Sequence, residues 1–209
     1  MSLEYLSPAP TAIARSPMER EARAAGALIE QQDGWNVAVS FEGEEPHLST
    51  VAFADRSQLG KLELQAEHGL ELGRATLRDD AWWCPTSRER ALVLCEPDRT
   101  AELRGELGDA VDLTSAMGAL TIAGPSAREL FARFTAIDLR PHVTPLHGFR
   151  PGSVARTPGA ILREGEERWL MLFGAALGSY VWTVVADAAA SLGGGPVGTA
   201  ALAEVMASA

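Results

Sequence analysis

The stretch Asp112 to Leu139, DLTSAMGALTIAGPSARELFARFTAIDL, constrains the fold more than any other part of the chain. Ala119-Leu120-Thr121-Ile122 alternates and carries enough β-branching for a half-buried strand. Gly124-Pro125 stops that strand. Proline suits the first helical position, where its missing N–H would have no intrahelical partner. Ala127, Leu130, Phe131 and Phe134 then recur at i, i+3, i+4 and i+7, one apolar stripe on a helix. Ser126 and Glu129 offer a capping box as an alternative start. The segment therefore predicts a β-α unit inside an α+β core.

Composition narrows the class. The chain has 209 residues, which suits one large domain or two small lobes sharing a core. Its net charge is −10, with acids and bases mixed along the sequence. A sequence-independent nucleic-acid binder needs a basic face to neutralise phosphates, and none is present. No secretory leader pattern opens the sequence. The run Trp169 to Ala186 is nearly all apolar over a spanning length, but Gly174, Gly178, Ser179 and Thr183 interrupt it and charges flank it. It reads as a strand, Trp169 to Phe173, and a helix from about Ser179 whose buried face holds Tyr180, Val184 and Ala188 alongside Val181 and Val185. Cys84 and Cys95 lie in apolar, strand-like contexts without zinc-ligand spacing, so buried free thiols and a cytoplasmic location are expected.

Elsewhere the chain alternates elements of both kinds. Residues 1–15 read as a mobile arm rich in Pro, Ala and Ser. Ser16-Pro17-Met18-Glu19 predicts a helix start, with Met18, Ala22, Ala25 and Ile29 on one face and Asp33-Gly34 as its end. Strands are expected at Trp35–Phe41, Thr50–Ala54, Leu62–Leu64 and Ala91–Cys95, and a short helix over Arg99–Leu107. Leu70–Leu77 fits either type. A Pro- and Gly-punctuated connection over 140–159 leads to the strand Ala160-Ile161-Leu162. Gly193–Gly195 reads as a turn, and a last helix begins near Thr199. This order predicts two α+β lobes, 16–110 and 111–209, in one compact domain with mostly antiparallel sheets.

Candidate chemistry is sparse. Gly193-Gly194-Gly195-Pro196-Val197-Gly198 matches G-x-G-x-x-G, but it follows a helix where a dinucleotide loop must follow a strand, so it reads as a tight connection. His142 and His147 share a loop with no third metal ligand at suitable spacing, and His47 and His68 are isolated. Asp79-Asp80 precedes the aromatic strand Ala81-Trp82-Trp83. There a carboxylate could orient an amine if it lay in an apolar pocket; a solvated turn is the simpler reading.

Several segments in order resemble the folate-binding domain shared by the glycine cleavage T-protein, an aminomethyltransferase, and the gamma subunit of heterotetrameric sarcosine oxidase. Asp112-Leu113-Thr114-Ser115 with Leu120–Leu130 resembles the family's acidic turn, strand and Gly-Pro-x-Ala run. Ala54-Asp55-Arg56-Ser57-Gln58-Leu59-Gly60 resembles Phe-Asp-x-Ser-His-Met-Gly. Arg156-Thr157, Val181-Trp182 and Gly195-Pro196-Val197-Gly198 resemble its Arg-Thr-Gly, Val/Leu-Trp and Arg-Pro-Ala-Gly. Ser16-Pro17-Met18 resembles the Ser-Pro-Leu opening of the gamma subunit, which is also closest in size. The resemblance implies a two-lobed T-protein-like fold with ferredoxin-like elements, lacking the C-terminal barrel.

Carried over residue by residue, the resemblance places Asp80 at the aspartate that positions the folate amine. Leu59 stands at a methionine that packs on the pterin, Leu170 at the glutamate that clamps it, and Leu202 at an arginine. A hydrogen bond to a charged group contributes about 1.5–3 kcal/mol. Losing two such anchors costs about 3–6 kcal/mol, roughly 10² to 10⁴ in affinity. The resemblance thus implies a non-catalytic, gamma-like subunit of a sarcosine- or amine-oxidase-type complex, with flavin-dependent oxidase subunits as partners and a weak or vestigial tetrahydrofolate site. A folate-dependent aminomethyl transferase and a stand-alone small-molecule-binding paralogue are the alternatives.

Overall fold

The structure, a computed structural model, describes residues 12–207. The expected arm falls largely on residues 1–11, outside the described residues. Its last two residues form a strand instead, β1 (Ala14–Arg15), and α1 (Glu19–Ala24) follows. Then come β2 (Ala27–Gln32), β3 (Trp35–Phe41), β4 (Ala52–Asp55), β5 (Gly60–Leu64), β6 (Thr76–Arg78), β7 (Ala81–Ser87), β8 (Arg90–Cys95) and α2 (Thr100–Leu107). The second half holds β9 (Val111–Asp112), β10 (Met117–Ala123), α3 (Ala127–Ala132), β11 (Phe149–Val154), β12 (Thr157–Arg163), β13 (Arg168–Gly174), α4 (Gly178–Ala190), β14 (Gly195–Pro196) and α5 (Thr199–Ala207).

Three sheets carry the fold, none closed into a barrel. Their orders are β1-β3-β2, β11-β12-β13-β10-β4-β14 and β6-β7-β8-β5-β9. Pairing is antiparallel except β1 with β3 and β14 with β4. The six-stranded sheet is buried on both faces, which explains the long apolar run at its centre. Trp169, Met171 and Phe173 of β13 point to one face, with Leu120 and Ile122 of β10, and pack under α1, α3 and α4. Leu170 and Leu172 point to the other and meet Cys84, Leu92 and Leu94 of the five-stranded sheet. The far side of that second sheet holds Leu62, Val93 and Cys95 against Leu103 of α2. Strands buried on both faces lose the polar-apolar alternation. Among the described residues no helix is long and apolar enough to cross a membrane. Both cysteines are buried and free.

The β-α unit at the heart of the sequence is present, with a later start than expected. Gly124 takes φ +115°, and its tight turn needs glycine because a Cβ would lie 2.6 Å from the Thr50 carbonyl oxygen. Ser126 is the N-cap without a side-chain capping bond, so Pro125 precedes the helix and the Ser126/Glu129 box does not form. The apolar stripe is as read: Ala127, Leu130 and Phe131 are buried and Phe134 packs beside them.

Four local expectations are corrected. The helix expected from Ser16 to Asp33 ends at Ala24, and β2 follows. Asp33 and Gly34, at φ 49° and 79°, form a two-residue hairpin turn between β2 and β3, the Asp-Gly signature of the type I′ geometry. Ile29 fitted the helical face because it also packs inward from a strand. Ser16 does not cap α1, whose N-cap is Met18. The connection 140–159 contains β11, which tolerates Pro151 and Gly152 because it is the sheet's edge. On α4, Tyr180 is 44% exposed, and Trp182 and Ala189 take places on the buried face. Sheet pairing runs across position 110. β4 from the first half joins β10 of the second, and β9 joins β5.

Candidate functional site

The loop Asp55–Gly60, quoted above for its resemblance, is a junction where four segments meet. Asp55 ends β4 and accepts hydrogen bonds from the Ser57 N–H at 2.9 Å and from the Ser16 hydroxyl. The Ser16 oxygen in turn accepts the Met18 N–H at 3.0 Å. Ser57, fully buried, accepts the Ala119 N–H of β10 at 3.2 Å. Gly60 admits no side chain, since a Cβ would lie 2.3 Å from the Thr100 hydroxyl and 2.6 Å from the Cys95 sulfur.

Lys61 locks this junction from inside. Its side chain is fully buried, and Nζ donates to the carbonyls of Ser57 and Leu59, both at 2.8 Å, and of Thr114 at 3.4 Å. Burial pulls its pKa down to about 8, against the opposing pull of Asp55 and Asp112. The same burial raises the pKa of Asp55, although the hydrogen bonds from Ser16 and Ser57 and the Lys61 charge work the other way. Ammonium and carboxylate are both held by hydrogen bonds that satisfy them, so this pair organises backbone.

The positions carried over from the resemblance separate into a buried set and an exposed one. On one face of the six-stranded sheet, Leu162, Leu170, Thr121 and Ala54 lie side by side across four strands. Leu170 is 1% exposed and shares an apolar cluster with Leu59, Cys84 and Phe149. Leu202 of α5 is 2% exposed and packs on Ala54, at the far end of that row. Thr121, fully buried between the two clusters, has a hydroxyl with no hydrogen-bond partner among the described residues. Leu59, Leu170 and Leu202 therefore converge on one sheet face, and their own side chains fill it. Asp80 is not with them. With Asp79 it forms the exposed two-residue turn between β6 and β7, at φ 47° and 58°, so the solvated-turn reading holds.

The histidines do not gather either. His147 stacks edge-on against Trp82 at 4.9 Å, and burial lowers its pKa. His142 is exposed in the same loop. His47 contacts the Pro196 carbonyl at 3.1 Å.

An open cleft of about 910 Å³ lies beside the filled face. Its walls are the outer face of β2–β3, the junction loop, the Glu96-Pro97 corner after β8, and the start of α5. Val37, Val39 and Leu202 supply its apolar surface, and Leu28 stands 57% exposed at its edge. Arg56, buried in the wall, donates to the exposed Glu96 carboxylate at 2.6 Å. Glu30, Asp33 and Glu96 make the cleft acidic against Arg56, the one basic residue among the described lining. That lining includes no cysteine, histidine or lysine. The β2 wall is hidden in the sequence because Met18, Ala22 and Ile29 keep a helical spacing; Asp33-Gly34 carries the signal that reveals it.

No protein-family model matches the chain, and no match is found among curated proteins. Solved structures do match. A chain of heterotetrameric sarcosine oxidase from Corynebacterium sp. U-96, solved with pyrrole 2-carboxylate, superposes with a TM-score of 0.66 at 20% identity, covering 86% of this chain and 96% of that one. The glycine cleavage system aminomethyltransferase T from Bartonella henselae superposes with a TM-score of 0.71 at 15% identity, covering 90% of this chain. The chain spans 60% of that aminomethyltransferase's length. At these identities the likeness concerns architecture. The antiparallel-rich sheets, the helices laid on them and the ordered motifs identify the fold of this chain as T-protein-like, the α+β fold it shares with the aminomethyltransferase and with the sarcosine oxidase chain.

Proposed function

We propose that this chain is a non-catalytic, gamma-like subunit of a sarcosine- or amine-oxidase-type complex. One observation carries the reading. Leu170, which the resemblance sets at the position of the folate-clamping glutamate, is sealed between two sheets with Leu59, while the fold matches almost the whole of a heterotetrameric sarcosine oxidase chain. A pterin ring would need that volume, and a leucine offers it no hydrogen bond. In such a complex, flavin-dependent subunits oxidise the amine, and this chain contributes structure and an interface. A cytoplasmic setting suits its two unpaired thiols. Purification of the tagged chain from its native cells tests the reading. Co-purification of oxidase subunits in fixed ratio is the expected result. An oxidase that assembles and turns over without this chain overturns it.

A second reading, folate-dependent aminomethyl transfer, draws on the convergence of Leu59, Leu170 and Leu202 on one face. Calorimetric titration with tetrahydrofolate decides it: a tight complex would favour this reading, and no heat at millimolar ligand would end it. A stand-alone role for the cleft, binding another small molecule, predicts a hit in a thermal-shift screen.

A further inference from the structure

We infer that the acidic cleft beside β2 is a docking groove for an extended, Lys- or Arg-bearing segment of a partner subunit, laid along the free edge of β2. The inference rests on the subunit reading above and specifies its interface.

The edge comes first. β2 is the outer strand of the order β1-β3-β2, and among the described residues it pairs only with β3. An unpaired edge is a template for another chain, and proteins blunt such edges with proline, lysine or brevity. The other outer strands here are blunted. β1, β9 and β14 have two residues each, β6 has three, and β11 carries Pro151 and Gly152. β2 has six residues, no proline and no lysine. The register shift between Leu28 and Ile29 skips Val39 on β3, so β2 itself runs regularly.

The groove supplies the chemistry. Leu28, Glu30 and Gln32 alternate along β2 and line the cleft beneath which Val37 and Val39 lie. A strand added to the edge would drop every second side chain into the cleft, spaced about 6.6–6.8 Å apart. Apolar side chains would meet Leu28 and Val39. Cationic ones would meet Glu30, Asp33 and Glu96, which outnumber the single Arg56 already engaged with Glu96. A second copy of this chain is disfavoured, because pairing β2 with itself would set the acidic rim of one copy, Glu30 and Asp33, beside the same acidic rim of the other on a molecule of net charge −10.

Hydrogen exchange on the full chain, alone and within the co-purified oxidase assembly, tests this. The β2 amides that β3 leaves unbonded are expected to slow at least about tenfold on assembly, as added backbone hydrogen bonds require. The exposed double variant Glu30→Lys/Asp33→Asn, which keeps a residue suited to the positive φ at position 33, is expected to keep the melting temperature and weaken association about tenfold, each rim pair being worth a few-fold. Protection elsewhere in an intact assembly, or unchanged affinity in the double variant, overturns the docking groove and leaves the subunit reading standing. Absence of any assembly overturns both. Protection of β2 in a dimer of this chain alone, seen by sedimentation, replaces the basic segment with a second copy and overturns the inference.

Discussion

Lys61 shows at the residue scale what the quoted motif does. Three carbonyl oxygens from two segments converge on one buried ammonium. Its folded pKa, about 8, lies below the ordinary lysine value of 10.5. The unfolded chain therefore binds more protons between those two values. Stability contributed through this group is fully present above about 10.5 and is lost as pH falls through about 8, a difference of roughly 3 kcal/mol at most. In urea unfolding, the wild type is expected to gain stability relative to Lys61→Met as pH rises from 7 to 10.5; a parallel pair of pH profiles would remove Lys61 from the account. Leu170 makes the complementary case. Its side chain is 1% exposed among apolar neighbours, so Leu170→Glu must bury a carboxylate without a partner. That costs several kcal/mol or forces protonation. A large drop in melting temperature is expected. A variant that melts like the wild type would mean that the site can open after all.

Elements explain which parts of this architecture could be read from the sequence. β10, β13 and α4 were legible because continuous apolar runs and a Gly-Pro corner leave few alternatives. β2 was not, because Met18, Ala22 and Ile29 satisfy helical spacing while belonging to a helix and a strand that pack on the same core. Periodicity reports burial and is blind to a change of element between its points. β11 was hidden by Pro151 and Gly152, which mark loops unless the strand is known to be an edge. The glycine-rich run after α4 is a connection, as its place after a helix implies, and its physical reason appears only in three dimensions. A Cβ on Gly194 would lie 1.9 Å from the Val51 carbonyl oxygen, and one on Gly198 would lie 2.0 Å from that of Val39. These contacts let β14 pair with β4 and seat α5 against β3. Gly194→Ala or Gly198→Ala should each cost about 1–3 kcal/mol or more, the range for overpacking a filled interior. The measurement is chemical denaturation; a loss below 0.5 kcal/mol, a threshold about the size of an ordinary surface effect, would show that the backbone yields there.

At the scale of the whole molecule, the two sequence halves are stitched through their sheets. The six-stranded sheet takes β4 from the first half between β10 and β14, and the five-stranded sheet takes β9 from the second. The face between these sheets holds side chains from both, among them Leu59 and Cys84 from one half and Leu170 and Phe149 from the other. The convergence of Leu59, Leu170 and Leu202 was implied only by resemblance, since no local pattern in the sequence says that residues more than a hundred positions apart share a face. Cooperativity follows from the same arrangement. Residues 1–110 alone would expose β4 without β10, and residues 111–209 would expose β10 without β4 and leave one face of the six-stranded sheet uncovered. Neither fragment buries its apolar surface, so neither should fold by itself; mixed together, they should recover the native circular dichroism spectrum if association is fast relative to aggregation. The intact chain should unfold in one transition, with fluorescence and far-ultraviolet dichroism coincident. Two separated transitions, or a cooperatively melting fragment, would mean that one sheet stands without the other. The apolar seal over Leu170 would then be a contact between independent lobes, free to open on a ligand.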